Sequence, residues 1–300
     1  MPVTLPPYTR RRFLAAAAGV FVVRPAVAAD ADPHRVALLS DPHVPEKADE
    51  VSRDCNMTER LRRVVAEVAK LDPRPACAVI DGDLAYKTGT AAEYAAFGKL
   101  VGPVRAAGIP LHVGLGNHDH FARFAEGLAA LRPTAPPVVG KQVLVVELPR
   151  ANLFVLDSYD PKNGVGGKLG EDQRAWLATA LDARKDKPAL VCVHHPLQFE
   201  PDKAGKYGGL ADSADLWPVL TARRQVKAYI FGHTHTWRLA EKDGIHLVNL
   251  PAVGYPFAKT EVGGWVDVRL AAAGATLEVR ALDPAHPTHG KGAELTWRKG

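Results

Sequence analysis

Five short blocks each gather residues able to bind a metal or move a proton. They read Ser40-Asp41-Pro42-His43, Asp81-Gly82-Asp83, Gly116-Asn117-His118-Asp119, His194-His195-Pro196 and Gly232-His233-Thr234-His235. Carboxylate, amide oxygen and imidazole together suit borderline divalent metals such as Fe, Mn and Zn. A single catalytic zinc takes only three protein ligands. Asp41, His43, Asp83, Asn117, His194, His233 and His235 are too many for one ion and match two ions that share a carboxylate. Two such ions, about 3.5–4 Å apart, stabilise the attacking and leaving oxygens of a phosphoryl displacement. Gly82, Gly116 and Gly232 let the chain pass close to a ligand. The chain has no Gly-x-Ser-x-Gly, so a nucleophile-elbow serine is not expected.

Each block follows an apolar run, such as Val36–Leu39 before Ser40 and Tyr229–Phe231 before Gly232. In α/β sheets, ligands bind beyond the carboxyl ends of the strands. Short apolar runs predict strands over 35–39, 76–80, 111–115, 142–147, 153–156, 189–193, 228–231, 245–249, 262–270 and 275–280. Longer periodic stretches predict helices over 58–71, 91–107, 121–131, 171–183 and 213–222; Leu61, Val64, Val65 and Val68 set the period of the first. The alternation argues an α/β fold with a mixed sheet. Residues 158–170 and 198–212 read as long loops, and the tail after Asp283 as irregular.

In order, Asp-x-His, Gly-Asp, Gly-Asn-His-Asp, His-x-Pro and Gly-His-x-His resemble the calcineurin-like metallophosphoesterases. The resemblance runs from Asp41 to His235. It implies a four-layer α/β/β/α sandwich of two mixed sheets flanked by helices. It also implies two divalent or mixed-valence metal ions and hydrolysis of a phosphate mono- or diester by a metal-bound hydroxide. Asp41, His43 and His235 then hold one ion, Asn117, His194 and His233 the other, and Asp83 bridges them. His194 is preferred to His195, which is the x of His-x-Pro. His118 contacts the phosphoryl group with Asn117 or protonates the leaving group, and Asp119 orients His118. Tyr86, His195 and Asp81 support the ligands from behind. Gly82-Asp83-Leu84-Ala85-Tyr86 also resembles a block of the purple acid phosphatases, whose tyrosine binds ferric iron; that alternative is a phosphomonoesterase using Tyr86. Those enzymes lack a histidine at the place of His43. A metal-binding interaction domain without turnover is a third reading.

Other polar residues have plainer readings. His34, His112 and His246 lie at or within strands and are read as structural. Lys87, Lys162 and Lys168 are read as solvated side chains and His120 as a loop residue. Tyr159, Phe199, Tyr207, Trp237 and Tyr255 either wall a pocket or anchor their loops.

The chain has 300 residues, 47% hydrophobic and 24% charged, a composition able to bury a core. Arg10, Arg11, Arg12 and Arg24, with no acid in residues 1–29, account for all but one charge of the formal +5. A nearly neutral body speaks against nucleic-acid binding by bulk charge. Thr9-Arg10-Arg11-Arg12-Phe13-Leu14, the short apolar run Phe13–Val23 and Ala26-Val27-Ala28 resemble a twin-arginine export signal. That resemblance implies passage through the Tat translocase, cleavage after Ala28 or Ala29, and a periplasmic or secreted domain over 30–300 without stable membrane insertion. Cys55, Cys77 and Cys192 form no C-x-x-C pair; the latter two lie in apolar runs and read as buried hydrophobes.

Overall fold

Period-two alternation along the central strands sends successive side chains into different layers. The computed structural model describes residues 22–23 and 31–299. In chain order its strands are β1 (Val22–Val23), β2 (Ala31–Leu39), β3 (Val51–Ser52), β4 (Cys55–Asn56), β5 (Arg74–Ile80), β6 (Leu111–Val113), β7 (Leu144–Glu147) and β8 (Asn152–Val155). They continue with β9 (Ala189–Cys192), β10 (Val226–Phe231), β11 (Arg238–Lys242), β12 (Ile245–Asn249), β13 (Gly264–Leu270), β14 (Gly274–Ala281) and β15 (Gly292–Thr296). The helices are α1 (Met57–Ala69), α2 (Ala91–Leu100), α3 (Gly102–Ala106), α4 (Phe121–Gly127), α5 (Glu171–Asp182) and α6 (Ser213–Thr221).

One sheet has the order β15-β14-β13-β2-β5-β6, the other β1-β7-β8-β9-β10-β12-β11. Val36 and Leu38 of β2 and Cys77 and Val79 of β5 pack in one cluster with Val155, Leu190, Cys192 and Ile230 of the other sheet. Their neighbours Ala37, Leu39, Ala78 and Ile80 face the other way, onto Leu61, Val64, Phe97 and Phe124 of the helices. On the far side, Phe154, Val191 and Tyr229 cover Leu177, Leu181, Leu216 and Leu220 of α5 and α6. The result is the expected helix, sheet, sheet, helix sandwich. Cys77 and Cys192 are buried between the sheets, and burial pushes the Cys77 thiol up to about 12.

Register brings the strand ends level. Leu39 pairs with Ile80 and Ile80 with Val113, all in parallel. In the partner sheet Val155 pairs with Cys192 and Cys192 with Ile230. The loops that follow therefore leave both sheets at one edge.

Several boundaries differ from expectation. The helix predicted over 91–107 is two helices, because Pro103 has no N–H for the Lys99 carbonyl and its ring crowds the preceding turn. α2 begins on a capping box, with Thr90 and Glu93 each serving the other's backbone N–H. The helix predicted over 121–131 ends at Gly127, and a 3-10 turn over Ala129–Leu131 completes it. The tail after Asp283 is not irregular throughout: β15 pairs antiparallel with β14 along five residues. β11 escapes the pattern because all five of its residues are exposed at a sheet edge. Asp243-Gly244, both with positive φ, form its two-residue hairpin turn and were the local signal for it.

The proposed export segment, residues 1–29, lies outside the described residues except for Val22–Val23, which pair in parallel with Val145–Val146. Among the described residues no helix is long and apolar enough to cross a membrane.

Candidate metal centre

The five blocks meet where the two sheets' strand ends face each other. The loops after β2 and β5 continue the ladder of their strands: Asp41 N–H donates to the Gly82 carbonyl (3.3 Å) and His43 N–H to that of Asp83 (3.0 Å). Across the seam, His233 N–H donates to Asp41 Oδ2 (3.0 Å) and Gly254 N–H to the Asp41 carbonyl (2.8 Å). Gly232 must be small: a Cβ there would lie 1.8 Å from Ser40 Oγ. A Cβ on Gly116 would fall 2.2 Å from Asp83 Oδ1 and 2.5 Å from the His194 ring.

Five of the expected ligands hold left-handed backbone: Asp41 (φ 50°), His43 (45°), Asp83 (50°), His233 (66°) and His235 (54°). Such conformations cost about 1–3 kcal/mol each and persist where the surroundings over-determine them. Here they turn each side chain from its strand into the seam.

Asp41, His43 and His235 form one cluster. His235 Nε2 lies 3.2 Å and His43 Nε2 3.7 Å from Asp41 Oδ1, and the two ring nitrogens are 3.0 Å apart. His235 Nδ1 meets the Tyr255 carbonyl at 2.5 Å, and a carbonyl can only accept. Nδ1 therefore carries the proton in the neutral ring and Nε2 offers its lone pair to the seam. Asp83 is central, with Oδ2 3.7 Å from His43 Nε2 and 3.3 Å from His194 Nε2. His194, His195 and His233 form the second cluster. Both nitrogens of His195 are taken, by Ser158 Oγ (2.7 Å) and the Val165 carbonyl (3.2 Å). The carbonyl requires Nε2–H, so Nδ1 accepts from Ser158. His195 thus holds a loop, whereas neither ring nitrogen of His194 has a hydrogen-bond partner.

The seam is electrically primed for cations. Burial would raise Asp41 and Asp83, but the histidines around them outweigh it and hold both carboxyls well below their usual range. Burial would depress His194, yet Asp83 and Asp41 push it well above its usual value. Burial, aided by His194, lowers His233 to about 4 and leaves it neutral, as a ligand must be. Asp41 Oδ1, Asn117 Oδ1 and both His194 nitrogens are buried without a hydrogen-bond partner. Unsatisfied buried acceptors of this mixed type are what a pair of divalent ions would complete.

Other roles change. Asp119 does not orient the His118 ring. It is buried, accepts from Gly116 N–H (2.9 Å), Leu84 N–H (3.2 Å), Ala85 N–H (3.3 Å) and the Tyr94 hydroxyl (3.1 Å), and so ties the β5 and β6 loops together. The Tyr86 carbonyl meets His118 Nδ1 at 2.7 Å and orients it instead. His118 N–H also donates to Asp83 Oδ1 (2.8 Å). Asp81 lies behind His194 at 3.6 Å, and burial raises it to about 6. Ser40, not singled out in the sequence, joins Asp81 (2.6 Å) and Asp41 through its hydroxyl. Phe257, also missed, stacks on His235 at 4.0 Å, while Tyr255 stacks on His43 at 5.0 Å.

A family model described as calcineurin-like phosphoesterase matches residues 34–237. The chain belongs to that family. As a calcineurin-like phosphoesterase it is a metal-dependent phosphoester hydrolase, and its Asp/His clusters fit a centre of two ions. It is similar to a 3′,5′-cyclic adenosine monophosphate phosphodiesterase CpdA of Pseudomonas aeruginosa, 28% identical over 226 residues that cover 73% of this chain and 76% of that one. A glycerophosphodiester phosphodiesterase GpdQ of Enterobacter lignolyticus is 26% identical over 223 residues, covering 72% and 76%. The crystal structure of a dimetal phosphatase from Danio rerio superposes with a TM-score of 0.68 at 16% identity, covering 89% of this calcineurin-like phosphoesterase and all of that chain.

Proposed function

We propose that the protein hydrolyses a phosphate diester at a two-metal centre outside the cytoplasm. The observation that carries the reading is the convergence of six carboxylate and imidazole side chains from both sheets, Asp41, His43, Asp83, His194, His233 and His235, on one buried seam. Diesters are favoured because the curated relatives above are named phosphodiesterases. Asp41, His43 and His235 would hold one ion, Asn117, His194 and His233 the other, with Asp83 between them. When bound, such ions supply a water of lowered pKa and neutralise phosphoryl charge.

The chain's own residues do the rest. His118 Nδ1–H is held by the Tyr86 carbonyl, so its Nε2 faces the reaction. For the ester P–O bond to break as the water oxygen joins phosphorus, the His118 ring would first take up a second proton, at Nε2, and then pass it to the departing alkoxide, while the water's surplus proton leaves to solvent. Asn117 binds a phosphoryl oxygen. His43 supplies a nitrogen 3.7 Å from both Asp41 and Asp83, so a tyrosinate from Tyr86 is not needed. The holoprotein should therefore show no strong visible charge-transfer band; a purple or pink sample overturns that assignment.

Purified protein loaded with Mn²⁺ should hydrolyse bis(p-nitrophenyl) phosphate faster than p-nitrophenyl phosphate, and a chelator should abolish both. No turnover of either, with metal bound, would sink the reading. Export rests on Thr9 to Leu14 and Ala26 to Ala28. Replacing Arg10 and Arg11 by Lys should retain the precursor in the cytoplasm, and normal export of that variant refutes the route.

A further inference from the structure

The end of the sandwich opposite the metal centre carries a cleft of its own. β10 runs from Val226 to Phe231 and leads into His233. At about 3.3 Å per residue, its first residue lies roughly 20 Å from that histidine. Around this far end, the segments before β9 and β10, the β13–β14 turn and the residues after β15 enclose ≈520 Å³. That is within the range of about 300–1,000 Å³ for small-molecule sites. β9 and β10 belong to one sheet, β13, β14 and β15 to the other, so a molecule in the cleft would touch both.

The cleft's charge is one-sided. Lys185, Lys187, Arg224, Lys227 and Arg298 line it against one carboxylate, Asp186. None of the five cations forms an ion pair among the described residues. Three of them are held in place by backbone carbonyls. Lys227 Nζ donates to those of Arg224 (2.7 Å) and Arg298 (2.6 Å), and Lys187 Nζ to that of Leu148 (3.1 Å). The Arg298 guanidinium donates to those of Val226 (3.0 Å), Asp243 (3.0 Å) and Arg223 (2.8 Å). A carbonyl satisfies an N–H but brings no counter-charge. Lys227 is only 7% exposed, and burial, aided by Arg298 and Arg224, lowers its ammonium below the usual lysine range. Trp297 lines the same cleft, and its buried indole N–H has no hydrogen-bond partner.

We propose that this cleft is a binding site for a soluble phosphate-type oxyanion, held by Lys227 and Arg224 between the two sheets. A buried cation without a counter-charge is costly, and fixed charged N–H donors around a concave space are what an oxyanion requires. Lys227 Nζ has a third N–H to offer beyond the two that its carbonyls take. Several cations around one space favour a doubly charged ion over chloride. The site lies apart from the metal centre and does not depend on the hydrolytic reading. Occupancy ties the starts of β9 and β10 to the β13–β14 turn of the other sheet, and should therefore stabilise the fold.

The test compares thermal unfolding of Mn²⁺-loaded protein in sodium phosphate and in sodium chloride of equal ionic strength. It uses the wild type, the Lys185→Gln/Arg224→Gln variant and Lys227→Met. Lys185 and Arg224 are exposed, so the double variant should fold and should match the wild type on bis(p-nitrophenyl) phosphate. Phosphate at about ten times its dissociation constant should raise the wild-type Tm by about 3 °C over the chloride control. The double variant should need about tenfold more phosphate for the same gain, and Lys227→Met should lose the gain. Phosphate held at the metal centre contributes equally to all three proteins and cancels in the comparison. No gain in the wild type, a gain that chloride matches, or an equal gain in all three proteins overturns the site. Retention of the wild type on phosphatidylglycerol vesicles, with no response to free phosphate, overturns it too and assigns these cations to a lipid surface.

Discussion

The sheet that contains β2, β5 and β6 brings every carboxylate of the centre: Asp41, Asp81 and Asp83, with Asp119 behind them. The sheet that contains β9 and β10 brings only imidazoles: His194, His195, His233 and His235. Neither set of loops holds a complete ligand set. The acidic side without its partner is a cluster of buried like charges, and the basic side is a group of crowded rings, with His194 5.4 Å and His195 4.7 Å from His233. Each makes the other tolerable: the imidazoles hold the Asp83 carboxyl low, and Asp83 and Asp41 push His194 up against the effect of burial. The seam is thus drawn shut by the same charges that would later be ligands.

Breaking the acidic side at its centre should have the largest effect. Asp83→Ala removes the group shared by both clusters; turnover should fall by about 10⁴-fold or more, the equivalent of several kcal/mol, and bound metal measured by elemental analysis should fall with it. His118→Ala tests the seam differently, since its ring is held by Tyr86 and not by a carboxylate. It should keep its metal and slow turnover by about 100-fold. Equal metal loss in both variants would show that His118 is a ligand rather than a proton donor.

Gly232→Ala probes the fit between the sheets. Its Cβ would press on Ser40 Oγ at 1.8 Å and Asp41 Oδ2 at 2.5 Å, at a cost of about 1–3 kcal/mol. Thermal unfolding should report a Tm lower by about 5 °C, and activity should fall less than in His118→Ala. An unchanged Tm would mean that the seam is looser than these contacts imply.

His112 is the control away from the seam. It is buried on β6, its Nε2 has no partner, and burial lowers it to about 4. The unfolded chain takes up that proton near pH 6.5 while the folded one resists. Stability from this group is therefore present above pH 6.5 and is lost as the pH falls toward 4, amounting to about 2 kcal/mol at pH 5. His112→Leu should leave turnover at pH 7 unchanged and narrow the Tm difference between pH 7 and pH 5. An undiminished pH dependence in the variant would place the acid sensitivity elsewhere.

Much of the centre could be read from the chain because strand ends are local events. An apolar run followed by Asp, Asn or His is visible without knowing what lies opposite, and all five blocks do end level at one edge. What stayed hidden involves partners remote in sequence. Nothing beside Asp119 says that it will bind Leu84, Ala85 and Tyr94 rather than His118, and nothing around Phe257 announces a stack on His235. The exposed strand β11 carried no burial pattern to read.

The amino-acid sequence by itself determined which elements form and which side chains stand at their ends, because propensity, burial period and turn chemistry act over a few residues. Only the tertiary structure decided which ends face each other, which histidine nitrogen is free and which lysines overlook a cleft. Those are matters of distance and of competing hydrogen-bond acceptors, and they exist only once the two sheets have met.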